Sequence, residues 1–325
     1  MAIGKASDFK IYDEQFWGGA TEVLAQNTAL FNGASGGAIQ LVTRRMMGNY
    51  EKESFLKSVS GLVSRRDPTS VAAATDLALT QGEYIGVKIN RKIGPVAQTL
   101  DAFRKISSDP QEFSFLLGRQ WGQAISVDYV NSAVGSVAAA LANVAALTND
   151  VTGLATKTVT HSSLVGTMAK MGDASSRVIC FVMHSKAFFD LMNQSIADNV
   201  YQIGGTTIYG GTVATFNRPV IVTDSAALVV SGTPNTYRTL ALVEGGVEVS
   251  ESEQREIISQ PVTGLESLVL RIQGEYAYNL KLKGMAWDTS TGGVNPTDAA
   301  LLVAGNWDAV YTDVKDGPGA VLVSQ

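Results

Sequence analysis

The chain has 325 residues and a mass of 34.3 kDa, which exceeds the usual size of one compact core and predicts two lobes. Hydrophobic residues make up 45% and charged residues only 17%, with a mean hydropathy of +0.10, which is typical of a soluble globular protein. The net charge of −5 is uneven: residues 1–160 carry 15 basic and 14 acidic residues, and residues 161–325 carry 10 and 16. Neither half is basic enough for a dedicated DNA-binding domain.

Cysteine and histidine are too scarce for most catalytic or metal chemistry. Cys180 is the only cysteine and lies in an apolar run, so we expect it to pack as a small hydrophobe. His161 and His184 are the only histidines, and with Cys180 they fall short of a zinc site. A Cys180–His184 nucleophile and base remains an alternative, although a structural histidine is favoured. The sequence implies no cofactor.

Targeting signals are lacking in the sequence pattern. The N-terminus has no apolar core after its charges, so no cleavable signal peptide is predicted. No uninterrupted apolar run approaches the roughly 20 residues of a membrane span. We therefore expect synthesis in a cytoplasm and no membrane partner.

The first 40 residues are rich in Gly, Ala, Asn and Gln. Such a segment can hardly form its own core, so we expect it to be disordered or to lie along a neighbouring subunit. A short helix around Ala20 to Leu30 is compatible with the pattern.

The next segment predicts a long two-stranded arm. Ile85, Val87 and Ile89 alternate with polar or small residues, which indicates a strand. The Ser64–Pro68 stretch is typical of a turn, and the tip of the arm is predicted between residues 61 and 80. An isolated hairpin of this kind is marginal in water unless something packs against it.

Asp109-Pro110 opens the strongest predicted element, a helix from Pro110 to Leu147 that would be roughly 57 Å long. Gly118 and Gly122 weaken it by roughly 1 kcal/mol each relative to alanine and predict a bend between them. An apolar stripe at spacings of three and four marks the expected core face. The stripe consists of Phe113, Leu117, Val130, Val134, Val137, Leu141 and Val144.

The second half of the chain predicts a helix–strand–helix unit followed by strands. Thr160–Met171 is expected to be helical, Val178–Met183 to be a strand buried on both faces, and Ser185 to cap the helix that follows. The Glu-rich stretch Glu244–Glu256 is interpreted as a solvated acidic face, and paired glycines 204–205 and 210–211 as hairpin turns. Further strands are predicted at Ile208–Thr215, Pro219–Thr223, Tyr237–Val243, Gly246–Ser250, Ser267–Tyr276 and Leu280–Trp287.

This order of elements resembles the major capsid proteins of tailed bacteriophages with the HK97 fold, and the resemblance covers nearly the whole chain. Local phrases support it in the same order along the chain. They are Arg91–Pro95 with Asp101–Phe103, Asp109-Pro110 with Gly118–Gln120 and Asp128–Asn131, Gly172–Gln194, Val220–Asp224, Tyr237–Leu242, and Trp307 with Asp313–Asp316.

The resemblance implies an α+β, HK97-like capsid fold with six segments. These are an N-terminal arm (1–45), an E-loop hairpin (46–95), the spine helix of a P-domain (96–150), an α/β A-domain (151–265), returning P-domain strands (266–288) and a C-terminal tail (289–325). It also implies a function, namely self-assembly into hexamers and pentamers of an icosahedral head that encloses double-stranded DNA without sequence-specific contacts.

The implied partners are other copies of the chain, a portal and a decoration protein. A separate scaffolding protein is also implied, because about 45 residues before the E-loop are too few for a built-in scaffolding domain. No motif selects Lys52 or Lys57 for the covalent crosslink found in some relatives. The basic residues expected to contact neighbouring subunits are Lys52, Lys57, Arg65, Arg66, Lys88, Arg91 and Lys92.

Two alternatives remain beside the capsid hypothesis and the Cys/His enzyme. An encapsulin-like compartment would share the fold and enclose a cargo protein. A decoration or tail-tube protein would not need a helix as long as the one predicted here.

Overall fold

The structure is a computed structural model that describes residues 6–42, 48–57, 59, 61–99, 110–198, 200–203, 206–209 and 218–325. Its α-helices are α1 (Ala6–Ala34), α2 (Pro110–Ala142), α3 (His161–Ala169), α4 (Ser185–Asp198) and α5 (Asp298–Leu301). Its strands are β1 (Ile39–Val42), β2 (Tyr50–Leu56), β3 (Gln81–Thr99), β4 (Thr148–Asp150), β5 (Val178–Met183), β6 (Val200–Ile203), β7 (Thr206–Tyr209), β8 (Val220–Val222), β9 (Val229–Val230), β10 (Thr236–Val243), β11 (Val247–Val262), β12 (Val269–Leu282), β13 (Met285–Trp287), β14 (Trp307–Ala309) and β15 (Gly319–Ser324).

Eleven of these strands form two larger sheets joined by the long helix, and β6-β7 and β13-β14 are separate two-stranded pairs. The first sheet has the order β1-β11-β12-β3-β2, and β3, β11 and β12 make its long antiparallel ladders. The second has the order β4-β15-β10-β5-β8, with β9 beside β10. Helix α2 contacts β11 of the first sheet and β15 of the second, so one continuous apolar core runs between the sheets.

The predicted apolar stripe of α2 faces this core. Val134, Val137 and Leu141 are fully buried, and Leu117 and Val130 are half-buried against apolar neighbours. The side chain of Phe113 lies outside the described residues. Val144 packs against the core but lies beyond the end of the helix.

The helix ends at Ala142 and not at Leu147, because the chain turns there into a short strand. The backbone of Val144 is extended, with ψ at 96°, which interrupts the helical ladder. The Thr148 hydroxyl donates to the carbonyl oxygens of Leu141 (3.3 Å) and Val144 (3.1 Å), and so caps carbonyls at the helix end. This cap comes from β4 and could not be seen from the helical pattern alone.

By length and composition, the Ser114–Ala142 part of α2 is apolar enough to cross a membrane. However, 61% of its most apolar stretch is buried inside the protein. The apolar character is therefore that of a core helix.

The N-terminal segment differs from the expectation of disorder or of a path along a neighbour. Helix α1 packs along α2 of its own subunit, and the Phe16 and Trp121 rings meet edge-on with centroids 4.7 Å apart. A Cβ at Gly118 would lie 2.2 Å from the carbonyl oxygen of Phe16, and one at Gly19 would lie 2.5 Å from that of Phe115. The glycines are thus required for close approach of the two helices, and α2 is continuous through Gly118.

The helix–strand–helix unit follows the prediction closely. Thr160 and Ser163 form a reciprocal capping box at the start of α3, and β5 is almost wholly buried. The cap of α4 differs, because the helix already includes Ser185. His184 caps it instead, since its ring Nδ1 accepts a hydrogen bond from the Lys186 amide at 3.2 Å.

The C-terminal third forms longer strands than predicted, and part of the predicted tail belongs to a sheet. The two expected closing strands are one long strand, β12, followed by the short β13, and the Gly246–Ser250 strand extends to Val262 as β11. Strand β11 belongs to the first sheet, although the predicted A-domain included it. The predicted tail contributes β15, which pairs with both β10 and β4 inside the second sheet.

Candidate intersubunit surface

The most exposed part of the described chain is the arm formed by β2, β3 and the segment between them. The two strands pair from Tyr50 opposite Val87 to Leu56 opposite Gln81. Residues 61–80 are all exposed and contain no helix or strand, as predicted for the tip. They include the apolar side chains of Leu62, Val63, Val71, Leu77 and Leu79, of which Val63 is 95% exposed. Apolar side chains that the subunit does not cover indicate a contact surface.

An aromatic pair stiffens the middle of the arm. The rings of Phe55 and Tyr84 stack with centroids 4.1 Å apart. A Cβ at Gly82 would lie 2.6 Å from the ring of Phe55, so this glycine allows the ring to lie flat on β3. Cross-strand aromatic contacts of this kind stabilise a two-stranded ribbon that would otherwise be marginal.

Four of the basic residues predicted to contact neighbours are exposed. Lys52 lies on β2 opposite Ile85, Arg65 and Arg66 lie on the tip, and Lys92 lies on β3. Lys57 is half-buried just after β2, and its amide donates to the Thr80 carbonyl at 2.9 Å. These five residues remain candidates for contacts between subunits.

Lys88 and Arg91 are different, because both form ion pairs within their own subunit. Lys88 is buried and pairs with Glu253 of β11. The Arg91 guanidinium binds Asp128 of α2 in a bidentate manner, with both N–O distances at 3.0 Å, and its Nη1 lies 2.5 Å from Asp298 of α5. These two side chains already have ionic partners inside their own subunit, and their contact with a neighbouring subunit stays a prediction.

Tyrosine hydroxyls complete the cluster around Arg91. Arg91 Nη2 donates to the Tyr278 hydroxyl at 3.2 Å, and the Tyr276 hydroxyl donates to Asp128 at 2.8 Å. Burial acts to lower the pKa of Arg91, but Tyr278, Asp128 and Asp298 outweigh it and raise that pKa above its ordinary value. Burial also raises the pKa of Tyr276 and Tyr278, so both phenols stay neutral around physiological pH. The cluster joins β3, β12, α2 and α5.

The predicted acidic face is partly neutralised within the subunit. Glu251 and Arg255 pair at 3.1 Å, and Glu253 holds Lys88. Two of the five glutamates in the Glu244–Glu256 stretch therefore serve internal ion pairs. In the part of the chain that the structure describes, no three His, Cys, Asp or Glu residues are grouped to hold a metal ion.

The Cys/His pair does not have the geometry of an activated nucleophile. Cys180 is fully buried in β5, and burial raises the pKa of its thiol to about 11. His184 uses Nδ1 to cap α4, and its Nε2 lies 3.7 Å from Asp224. A nucleophilic cysteine needs a lowered pKa and access, so the enzyme hypothesis has no support at this site.

We expect Cys180 to be unreactive in the native protein. With a pKa of about 11, only about 0.1% of the thiol is ionised at pH 8, and burial blocks the reagent. Ellman's reagent at pH 8 should therefore modify no thiol until urea unfolds the chain, and then one per chain. A Ser231→Cys variant, with its new thiol on an exposed loop, is the positive control. Rapid labelling of the native wild type would contradict the burial.

Comparison with known proteins gives the family. A family model described as Gp13-like, "Major capsid protein 13-like", matches residues 8–321. No curated protein matches the sequence. Among the solved structures with a similar fold at low sequence identity are three of phages or their capsids.

The capsid of Myoviridae phage XM1 aligns with a TM-score of 0.52 and 10% identity, over 89% of this chain and 90% of that chain. The capsid of Ralstonia phage GP4 aligns with a TM-score of 0.51 and 10% identity, over 89% and 87%. A structure of Mycobacterium phage Cain aligns with a TM-score of 0.51 and 12% identity, over 86% and 90%.

Identities this low carry information on the fold alone, and that fold extends over nearly all of both chains. The likeness confirms the α+β, HK97-like capsid fold that the sequence resemblance implied. Because the family model spans residues 8–321, it includes the arm, the long helix and both sheets. This chain belongs to the Gp13-like family of major capsid proteins.

Proposed function

We propose that copies of this chain associate into hexamers and pentamers and close an icosahedral phage head around double-stranded DNA. The observation that carries the proposal is the exposed tip of the arm, residues 61–80, with its apolar side chains. The chain that bears it is a major capsid protein by family. An extended arm without a core of its own gains stability only against another chain. In a closed shell, each arm would lie over a neighbouring subunit.

We assign the remaining segments to the parts of a capsid subunit. Residues 1–45 are the N-terminal arm, 46–95 the E-loop and 96–150 the spine of the P-domain. The A-domain, which surrounds the axis of each capsomer, begins at 151. Its sheet includes β15 from the C-terminal segment, while β11 joins the returning strands in the P-domain sheet.

The charge of the chain suits loose contact with packaged DNA. The net charge of −5 is compatible with a non-basic inner face of the shell, which would suit DNA that must slide during packaging because fixed phosphate contacts would resist its movement. The scheme further includes assembly in a bacterial cytoplasm with a separate scaffolding protein, a portal and a decoration protein.

Negative-stain electron microscopy of the purified full chain, with light scattering for mass, tests this function. Rings or closed shells of uniform diameter are the expected result. The same measurement is made after co-expression with the neighbouring phage genes, which would supply a scaffolding protein. A monomer under both conditions would contradict the proposal, and shells filled with a protein cargo would favour an encapsulin-like compartment.

A further inference from the structure

The arm leaves the rest of the subunit, here called the body, at a single position along β3 of the first sheet. Within the described residues, β2 pairs with β3 alone, and that ladder starts at Tyr50 opposite Val87. The ladder between β3 and β12 ends at the same residue, with Val87 opposite Leu280. Backbone pairing beyond Val87 is therefore that of a two-stranded ribbon, which only side-chain contacts, such as the packing of Ile85 against the core, hold to the rest of the subunit.

Gly86, the residue before Val87 in β3, has no side chain and so leaves room between the side chains of β2 and β12. It lies opposite Glu51 of β2, and Lys281 of β12 is the residue after Leu280. A Cβ at Gly86 would lie 3.5 Å from the Cβ atoms of both Glu51 and Lys281, and 3.2 Å from the Leu280 carbonyl oxygen. Because this space is empty, side chains of β2 and β12 meet directly across the strand between them.

Lys281 fills the gap with an ionic contact. Its Nζ lies 2.5 Å from Oε2 of Glu53 and 3.8 Å from Oε1 of Glu51. The Glu51 side chain is only 1% exposed and that of Lys281 17%, while Glu53 is 45% exposed. A carboxylate as buried as that of Glu51 requires a nearby cation, so the contact resists separation of β2 from the sheet.

We propose that Lys281 is the positioning residue that sets the angle between the arm and the body. Its ion pairs hold β2 close to β12 across Gly86. They therefore restrict the bending of the arm about Val87 that backbone pairing alone would permit. The consequence for assembly rests on the proposed function, because the angle decides where the arm meets a neighbouring subunit. The angle itself belongs to the single subunit and is measurable before any shell forms.

Electron–electron distance measurements between spin labels test the proposal on the unassembled full chain. One label is attached at Ser54→Cys, an exposed position on β2 of the arm, and one at Ser231→Cys on the body, and the buried Cys180 stays unlabelled. Lys281→Met keeps the aliphatic stem and removes the charge. It should widen the distance distribution about two-fold, since the ribbon then depends on its backbone ladder. Lys281→Arg should largely restore the wild-type width.

Lys283→Met is the matched control, because Lys283 is exposed and donates to the Glu244 carbonyl, away from β2. It should leave the width unchanged. If Lys281→Met does not fold, the distance distribution is measured in Glu53→Gln instead. The Glu53 side chain is half-exposed, so the loss of its charge should not unfold the subunit. Wild-type widths in the folded variants would overturn the proposal even if their melting temperatures fell. Failure of the wild type to form shells would count against the proposed function and leave this result standing.

Discussion

Deleting residues 61–80 is expected to leave a folded subunit that forms no closed shells. Every residue in this segment is exposed, so the deletion removes nothing from the core. It leaves residues 57–60 as a four-residue connection between Leu56 and Gln81, which are paired in the wild type and suit a short hairpin loop. What is lost is the apolar contact surface, including Leu62, Val63 and Val71.

Circular dichroism and thermal unfolding should show a melting temperature close to that of the wild type. Electron microscopy and light scattering should show subunits or open oligomers. A second variant, in which residues 61–80 are replaced by twenty Gly and Ser residues, keeps the length and removes the side chains. It should also form no closed shells if the side chains make the contacts. Normal shells from either variant would refute the role given to the arm.

Local sequence signals predicted the elements that depend on local physics. The continuous apolar run Val178–Met183 is buried β5, and the stripe through Val134, Val137 and Leu141 is the buried face of α2. The helix predicted over Thr160–Met171 is α3, which spans His161–Ala169. Each of these features is encoded within a few turns of chain, so a periodic pattern is sufficient to find it.

The elements that the sequence did not predict depend on distant partners. The glycines near the N-terminus suggested a loose segment, yet Gly19 is required where α1 meets α2, about a hundred residues later. The segment that forms β15 was assigned to a C-terminal tail, because its strand partners, β4 and β10, lie far from it in the sequence. Only tertiary contact turns such segments into helix or sheet.

The same limit applies to the candidate contact residues. The exposed tip with Arg65 and Arg66 could be predicted, because a turn signal at Ser64–Pro68 precedes the alternating segment around Ile85–Ile89. The partners of Lys88 and Arg91 could not, since Glu253 is 165 residues from Lys88 and no motif links them. Lys281 was missed for the same reason, although the opposed charges on β2 and β12 are a signal once the strand order is known.

Replacing Val137 with Asp is expected to prevent the subunit from folding at neutral pH. Val137 is fully buried in the core between the two sheets. An uncompensated carboxylate there costs several kcal/mol, a large part of the roughly 5–15 kcal/mol by which a protein of this kind is stable. The expected result is insoluble protein, or a soluble product without a cooperative thermal transition.

Val127→Asp is the matched control, because Val127 lies ten residues earlier on the same helix and is 58% exposed. Its effect on the free energy of unfolding should be within about 1 kcal/mol. Burial raises the folded-state pKa of a carboxyl introduced at Val137 above its unfolded value of about 3.9. The destabilisation is therefore largest above the folded-state pKa and shrinks by about 1.4 kcal/mol per unit as the pH falls below it. A soluble Val137→Asp product with wild-type stability at pH 8 would show that this face of α2 is not core.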